Sequence, residues 1–512
     1  MLRIQLSYTE HLFKFRNPTA LMSLQDLPLE LLERVVVLLS LSDICSLRLT
    51  NKCIALNTVQ KHFKGFFRTK RVAITERELR TFVAVTAYDG LACLVQNLTL
   101  VAPVYNTLEL STQLEEKTAK RAKLVDNGHS AKVKWHDLTE EELQQVRLDL
   151  EVLKERRTEQ LDMLHRQSDV ELLGKAFSNL AAHGASLRMV RTELEIYKDD
   201  TTTPLLPFFG GHEKPIWASI ASISHTLFAS LAACELPVQS LNLFNSTRML
   251  RCSVPCNEFK SDDFASARLD PSLGHLTELS LRISGKLIER SPPRGMVEDT
   301  EDSDFDGLQS MLRACSGVRK LDLVHFCPDW IPDTNVLCGR IIRAIGESSL
   351  PCLESLTLQN FAVTEGELLT LLKGFKALRS LSLCYIRLAE GSFKRILAYC
   401  TMEAAMEEVE LDHLVENEMV MFEPPWVARP TRVPGIPSID IYEDTRASYR
   451  RPSGDAACRQ IKYFLYHGRT QDSGVIRDWR QDHKNRFGPL SPDGKASCLQ
   501  PYVRPEKTWR HH

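Results

Sequence analysis

One six-residue pattern, apolar-x-x-Leu-x-Leu, recurs along this chain and restricts its fold more than any other feature. It reads VQNLTL at 95–100, VQSLNL at 238–243, LTELSL at 276–281, VRKLDL at 318–323, LESLTL at 353–358 and LRSLSL at 378–383, with a weaker copy, MEEVEL, at 406–411. Leucines two residues apart lie on one face of an extended strand, so each copy reads as a short strand with one buried and one polar face. Starts at 238, 276, 318, 353, 378 and 406 differ by 38, 42, 35, 25 and 28 residues, room for a helix in each interval and for insertions in the early ones. A strand and helix of this size cannot bury their own apolar faces. The expected fold is therefore α/β, with helix-and-strand units stacked so that neighbours share a core.

The intervals support that reading. Thr364-x-x-Glu367 and Thr75-x-x-Glu78 are capping boxes at the heads of apolar-periodic segments, and Thr139-x-x-Glu142 heads a third. Cys234, Cys315 and Cys400 each end such a helix shortly before the next strand, where a small thiol fills a corner of the core. Two insertions stand out. In 111–167, Leu143, Val146, Leu150, Leu153 and Leu164 keep helical spacing, which predicts an amphipathic helix lying against the array. The acidic run VEDTEDSDFD at 297–306 reads as a solvated loop in which Thr300 and Ser303 are candidate phosphorylation acceptors.

After 414 the pattern stops. A Pro-rich stretch at 423–438 cannot continue a helix. From 427 to 512 there are 16 Lys and Arg against 9 Asp and Glu, a balance of +7 interleaved with Tyr463, Phe464, Tyr466, Trp479 and Trp509. Residues 423–512 are read as a linker and a basic cap over the end of the array; the competing reading is a grip on RNA. The whole chain has 64 Lys and Arg against 66 Asp and Glu, which gives the molecule at large no electrostatic reason to hold nucleic acid or an acidic membrane. No apolar run reaches spanning length, and cytoplasm or nucleus is the expected location. The pair in CSVPC (Cys252, Cys256) lacks a second pair for zinc, so neither metal nor cofactor is expected. There is no Gly-x-Ser-x-Gly, no phosphate-cradling loop, no HExxH and no cysteine with an evident basic partner in the sequence, which argues against an enzyme.

The densest apolar run lies near the N-terminus, in LQDLPLELLERVVVLLSLSDICSLRLTNK at 24–52. Leu27, Leu31, Val35, Leu38 and Leu39 recur at helical steps, with Leu32 and Val36 widening the stripe. Pro28 suits the first turn of one helix and Ser42 is read as the cap of a second. Two such short helices carry more apolar surface than they can bury against each other. Residues 1–22 are read as a disordered extension, with Met22 a second possible start.

Leu27-Pro28, Glu30, Leu31-Leu32, Val35, Leu39, Asp43-Ile44, Leu47, Leu49 and Lys52 together closely resemble an F-box, over 23–70, and the repeats loosely over 71–422 resemble irregular leucine-rich repeats. Lys52 is followed by Cys53-Ile54 where an aromatic often stands in the family. The resemblance implies a substrate receptor of a ubiquitin ligase, in which the helical pair docks a Skp-family adaptor that joins a cullin. On that reading Leu27, Pro28, Leu31, Leu32, Val35, Leu39, Ile44 and Leu47 contact the adaptor. The outward strand positions, among them Asn242, Arg282, Asp322, Thr357, Gln359, Ser382, Glu408, Glu410 and Asp412, meet a protein substrate that offers a basic element to the acidic end. A non-degradative scaffold is the remaining alternative.

Overall fold

The computed structural model describes residues 24, 27–59, 61–124, 131–197, 213–246, 252–259, 269–289, 296–298, 301–326, 334–404, 406–422, 446–451 and 461–466. The chain divides into two compact units, Met1–Thr69 and Lys70–His512. Residues 1–22, Thr300, the Pro-rich stretch and the tail beyond 466 lie outside the described residues.

The first unit is helical: α1 (Leu29–Val36), α2 (Leu41–Thr50), α3 (Lys52–Asn57) and α4 (Lys61–Arg68). Pro28 is the N-cap of α1 and not its first helical residue; its carbonyl accepts from Leu31 and Leu32. The cap of α2 is Ser40, not Ser42. Ser40 and Asp43 form a reciprocal capping box that only a serine three residues before the acid can make. Leu32, Val36, Ile44, Ile54, Phe63 and Phe67 make the small core of this unit. Ile54 is buried, so α3 packs without an aromatic after Lys52. Polar groups tie the helices together. Glu33 accepts from the His62 amide at the start of α4, and Arg48 donates to the Ala55 carbonyl at 2.7 Å while lying over the Phe63 ring.

The second unit is α/β. After β1 (Thr69–Ala73) and β2 (Asn97–Tyr105) the chain forms a separate hairpin, β3 (Thr118–Leu124) and β4 (Ala131–Asp137), and returns with β5 (Met189–Tyr197). Then follow β6 (Ser240–Leu243), β7 (Val254–Pro255), β8 (Glu278–Ser284), a small ribbon of β9 (Leu287–Glu289) and β10 (Met296–Glu298), β11 (Lys320–His325) and β12 (Ser355–Gln359). The last strands are β13 (Ala362–Thr364), β14 (Ser380–Cys384), β15 (Arg387–Glu390), β16 (Glu408–Asp412), β17 (Met419–Phe422), β18 (Arg446–Arg450) and β19 (Tyr463–Tyr466). Among the described residues eleven strands form one sheet, in the order β1-β2-β5-β6-β8-β11-β12-β14-β16-β18 with β7 beside β8. From β2 to β16 every neighbouring pair is parallel and follows chain order.

All seven copies of the hexapeptide become strands of this sheet, and register aligns their leucines in two buried rows. One row is Leu98, Val190, Leu241, Leu279, Leu321, Leu356, Leu381 and Val409; the other is Leu100, Thr192, Leu243, Leu281, Leu323, Leu358, Leu383 and Leu411. The strand β5 carries no copy of the pattern, because Thr192 stands where the second leucine belongs. Left-handed residues follow immediately after four strands: Phe244, Asn360, Tyr385 and His413. The amides of Asn360 and Tyr385 donate to the last carbonyl of the next strand, those of Cys384 and Asp412, so each turn extends the ladder by one bond.

Helices fill the intervals and pack on one another in chain order. Helix α5 (Glu76–Thr86) touches α9 (Ser168–Ala182), which touches α10 (Glu213–Ala232); Thr334–Glu347 touches Glu365–Gly374, which touches Phe393–Ala398. Between them are the short α6 (Asp89–Ala92), α7 (Thr107–Glu116) and α8 (Glu140–His165). The last of these buries Leu143, Leu150, Leu153 and Met163 against α7, β2 and α9. Arg157 and Gln160 interrupt its apolar seam because they bond to Thr107 and to the Pro103 carbonyl. Cys234, Cys315 and Cys400 are buried at helix ends, and burial pushes the thiols of Cys315 and Cys400 up to about 12. The acidic run is more than a solvated loop: Asp302–Phe305 is a capped 3-10 turn, Asp302 pairs with Arg340 and Asp304 with Lys286.

Candidate functional site

Two surfaces carry the residues singled out by sequence. In the first unit, α1 is apolar along two sides. Leu32 and Val36 face inward and are buried, whereas Leu31 is 45 % exposed, Val35 is half-buried, and Leu38, in the turn just past the end of the helix, is 85 % exposed. On α2, Ile44 is buried while Cys45 and Leu49, four residues apart, face outward, Leu49 at 89 %. Leu29, Val37 and Leu56 are also exposed. Of the expected contact residues, Pro28 and Leu31 are exposed and Leu27, Val35, Leu39 and Leu47 half-buried. Leu32 and Ile44 belong to the unit's own core and shape its surface from beneath.

Of the large apolar residues exposed among the described residues, Leu29, Leu31, Val37, Leu38, Leu49 and Leu56 fall in the first unit, and Tyr88, Leu108, Leu148, Leu161 and Met402 in the far longer second. Among the described residues of the first unit, as many large apolar side chains face out as are buried. The sequence pattern places Leu38 in the apolar stripe and Leu49 in the F-box resemblance but names neither as a contact, because periodicity alone does not say which apolar positions stay exposed.

The second surface is the polar face of the parallel sheet. Register aligns Asn242, Ser280, Asp322, Thr357, Ser382 and Glu410 in one outward row, and Arg282, Val324, Gln359, Cys384 and Asp412 in another. These positions differ in what they offer. Arg282 is buried beside β7, so it is no open contact, and its charge acts within the protein on Asp322 and Cys252. Burial raises the Asp322 carboxyl above the usual range, opposed by the hydrogen bond from Asn245 and the charges of Lys320 and Arg282. Asn242 spends its amide on the Asn245 backbone.

The acidic end is met by the chain itself. Strand β18 pairs antiparallel with β16, places Arg446 opposite Asp412, and brings Arg450 within 3.2 Å of Glu408. Asp412 also hydrogen-bonds His413 at 2.6 Å. A basic element does meet this edge, but it is intramolecular, and Glu410, opposite Ser448, is the exposed acid that remains. The open polar patch therefore narrows to Thr357, Gln359, Ser382 and Glu410 on β12, β14 and β16. Tyr463 of β19 hydrogen-bonds Glu416 and Ser392, which anchors the strand that follows β18.

One cysteine has a basic neighbour that sequence did not reveal: the Cys338 thiol lies 3.4 Å from His325 Nδ1. Both are buried, and burial lowers the imidazole to about 4. A neutral imidazole in a dry core cannot hold a thiolate as an ion pair, so the contact is packing. Cys252 and Cys256 are likewise buried, and no group of three His, Cys, Asp or Glu side chains is gathered for a metal among the described residues. None of the described helices is long and apolar enough to cross a membrane. No protein-family model matches the chain, and no relative is found among curated proteins. What the fold defines is thus a class: a parallel α/β sheet protein with a separate N-terminal helical unit.

Proposed function

We propose that the chain is the non-catalytic substrate-recognition subunit of a Skp/cullin/F-box ubiquitin ligase. Its helical unit is an F-box that docks a Skp-family adaptor, and its sheet is a leucine-rich-repeat solenoid whose polar face reads a protein substrate. The observation that carries this reading is the apolar exposure of the helical unit, with Leu31, Leu38 and Leu49 turned to solvent while six large apolar residues are buried among its described residues. Small units of this kind gain stability from a partner. Sealing an exposed leucine contributes about 1.5–3 kcal/mol, so Leu38 and Leu49 alone supply several kcal/mol to docking. Supporting it further, the parallel strands, aligned leucine rows and left-handed turns recur at the positions of the sequence repeat. The receptor then holds substrate lysines near a conjugating enzyme, which is rate enhancement by effective concentration.

The test is co-purification of the full chain with a Skp-family adaptor, beside a Leu31→Asp, Leu38→Asp variant. Both positions are exposed, so the variant is expected to melt like the parent and to lose the adaptor. Retention by the variant, or no adaptor with the parent, overturns the proposal.

A further inference from the structure

Many polar groups on the outward face of the sheet are spent on one another. Asn242 holds the Asn245 backbone, the Cys384 thiol donates to Asp412, Asp412 also holds His413, and Glu408 holds Arg450. Four neighbours are not spent. The side chains of Thr357, Gln359, Ser382 and Glu410 make no hydrogen bond or ion pair among the described residues, although Thr357, Gln359 and Ser382 are half-buried. A polar group already partly withdrawn from water, and without a partner, is one that a ligand's donors satisfy at little further desolvation cost. Register makes the set a row: Asp322, Thr357, Ser382 and Glu410 lie opposite one another on β11, β12, β14 and β16, with Gln359 two residues beyond Thr357. A carboxylate stands at each end of this row, with two hydroxyls between. Asp322 accepts from Asn245 through one oxygen, while its Oδ1 is buried with no hydrogen bond. The cations that act on Asp322, Lys320 and Arg282, lie in the adjoining rows, opposite Ser355 and Val324. The row itself thus offers negative charge and hydrogen-bond acceptors.

We propose that this row is the subsite for an arginine side chain of a protein partner. Neighbouring strands stand about 4.8 Å apart, so the acceptors from Thr357 to Glu410 are spread over about 10 Å. A lysine ammonium is a compact point charge whose three donors serve one small cluster of acceptors. A guanidinium is a planar fork with five donors: it pairs bidentately with a carboxylate along one edge and keeps donors on the other. Set over Ser382, it meets Glu410 with its fork and turns the remaining donors toward Thr357 and Gln359. An anionic partner is repelled by the two carboxylates, and an apolar one strips water from these polar groups and returns no hydrogen bond. The inference rests on the reading of this face as the substrate-binding surface and narrows it. The partner's basic element is an arginine, and it is met at Glu410, since the acids at 408 and 412 are spent on Arg450 and His413.

The experiment is a saturation-transfer NMR titration of the full chain with N-acetyl-arginine amide and, separately, N-acetyl-lysine amide, beside a Thr357→Val, Glu410→Gln variant. Both substitutions lie on the outward face of the sheet and keep side-chain shape, so the variant is expected to melt like the parent. The parent is expected to bind the arginine amide on the order of tenfold more tightly than the lysine amide, and the variant to lose arginine affinity by a similar factor. Equal affinity of the parent for the two amides overturns the proposal, a comparison that needs no variant. Arginine affinity unchanged in the variant, or no transfer from the parent to the arginine amide, overturns it as well. Because the titration contains no adaptor, its failure is distinct from failure of adaptor docking: a parent that holds the adaptor but not the arginine amide loses this subsite alone.

Discussion

Replacing Thr192 with valine tests how the repeat tolerates its one irregular strand. Thr192 occupies a leucine position in the buried row, is itself fully buried, and accepts the Phe244 amide at 3.2 Å. Phe244 is left-handed, at φ 56°, and buried, so its N–H has no water to turn to. Valine is nearly isosteric. Exchange of hydroxyl for methyl gains about 0.8 kcal/mol of apolar burial. Stranding a buried amide costs about 1–3 kcal/mol. The two terms have opposite signs, and the larger decides: Thr192→Val destabilises by about 1 kcal/mol although it makes the row more hydrophobic. The assay is urea unfolding of the second unit's transition, with an unchanged slope and a lower midpoint, together with faster exchange of the Phe244 amide. A variant equal to or more stable than the parent would refute the reasoning, since burial alone would then govern this position.

Other consequences can be measured on the same chain. Burial lowers His325 from its ordinary value to about 4, so between pH of about 6.5 and 4 the unfolded state binds more protons than the folded one. Its contribution to stability is therefore present above the unfolded value and lost as pH falls toward 4; a His325→Gln variant is expected to show a flatter pH profile of unfolding in that window, and an unaltered profile would contradict it. Gly391 adopts φ 93°, and a Cβ there collides with Glu365, whose carboxylate holds the Ser392 amide and Arg395. Gly391→Ala is expected to cost about 1–3 kcal/mol, more than Gly184→Ala, where φ is 67° but the space is open. Thermal melts of the two variants that rank the other way would contradict this.

The main sheet was legible because alternation and burial obey one rule: each apolar-x-x-Leu-x-Leu copy became a strand in register with the next. Strand β5 was not legible, since Thr192 breaks the pattern and its purpose, an acceptor for Phe244, lies 52 residues downstream. Helix caps were legible at Thr139 and Thr364, where acid and hydroxyl stand three apart, and misplaced at Ser42 because the neighbouring Ser40 makes the box with Asp43. The candidate surfaces were legible by residue type more than by exposure. Periodicity could not separate the inner positions of α1 from the outer ones, which placed the buried Leu32 among the expected contacts and left the exposed Leu38 out of them. Nor did spacing show that β18 returns to pair with β16, so the acids at 408 and 412 looked open, whereas Arg450 pairs with Glu408 and His413 with Asp412. Arg282 looked like a surface position for the same reason: strand parity fixes a face, while burial depends on what crosses it.

The most direct test of adaptor docking is calorimetric titration of a purified Skp-family adaptor into the full chain at several temperatures. Saturable one-to-one binding with a negative heat-capacity change is expected, as burial of Leu31, Leu38 and Leu49 requires, together with its loss in the Leu31→Asp, Leu38→Asp variant. Absence of binding by the parent chain, or binding that the variant retains, would contradict it.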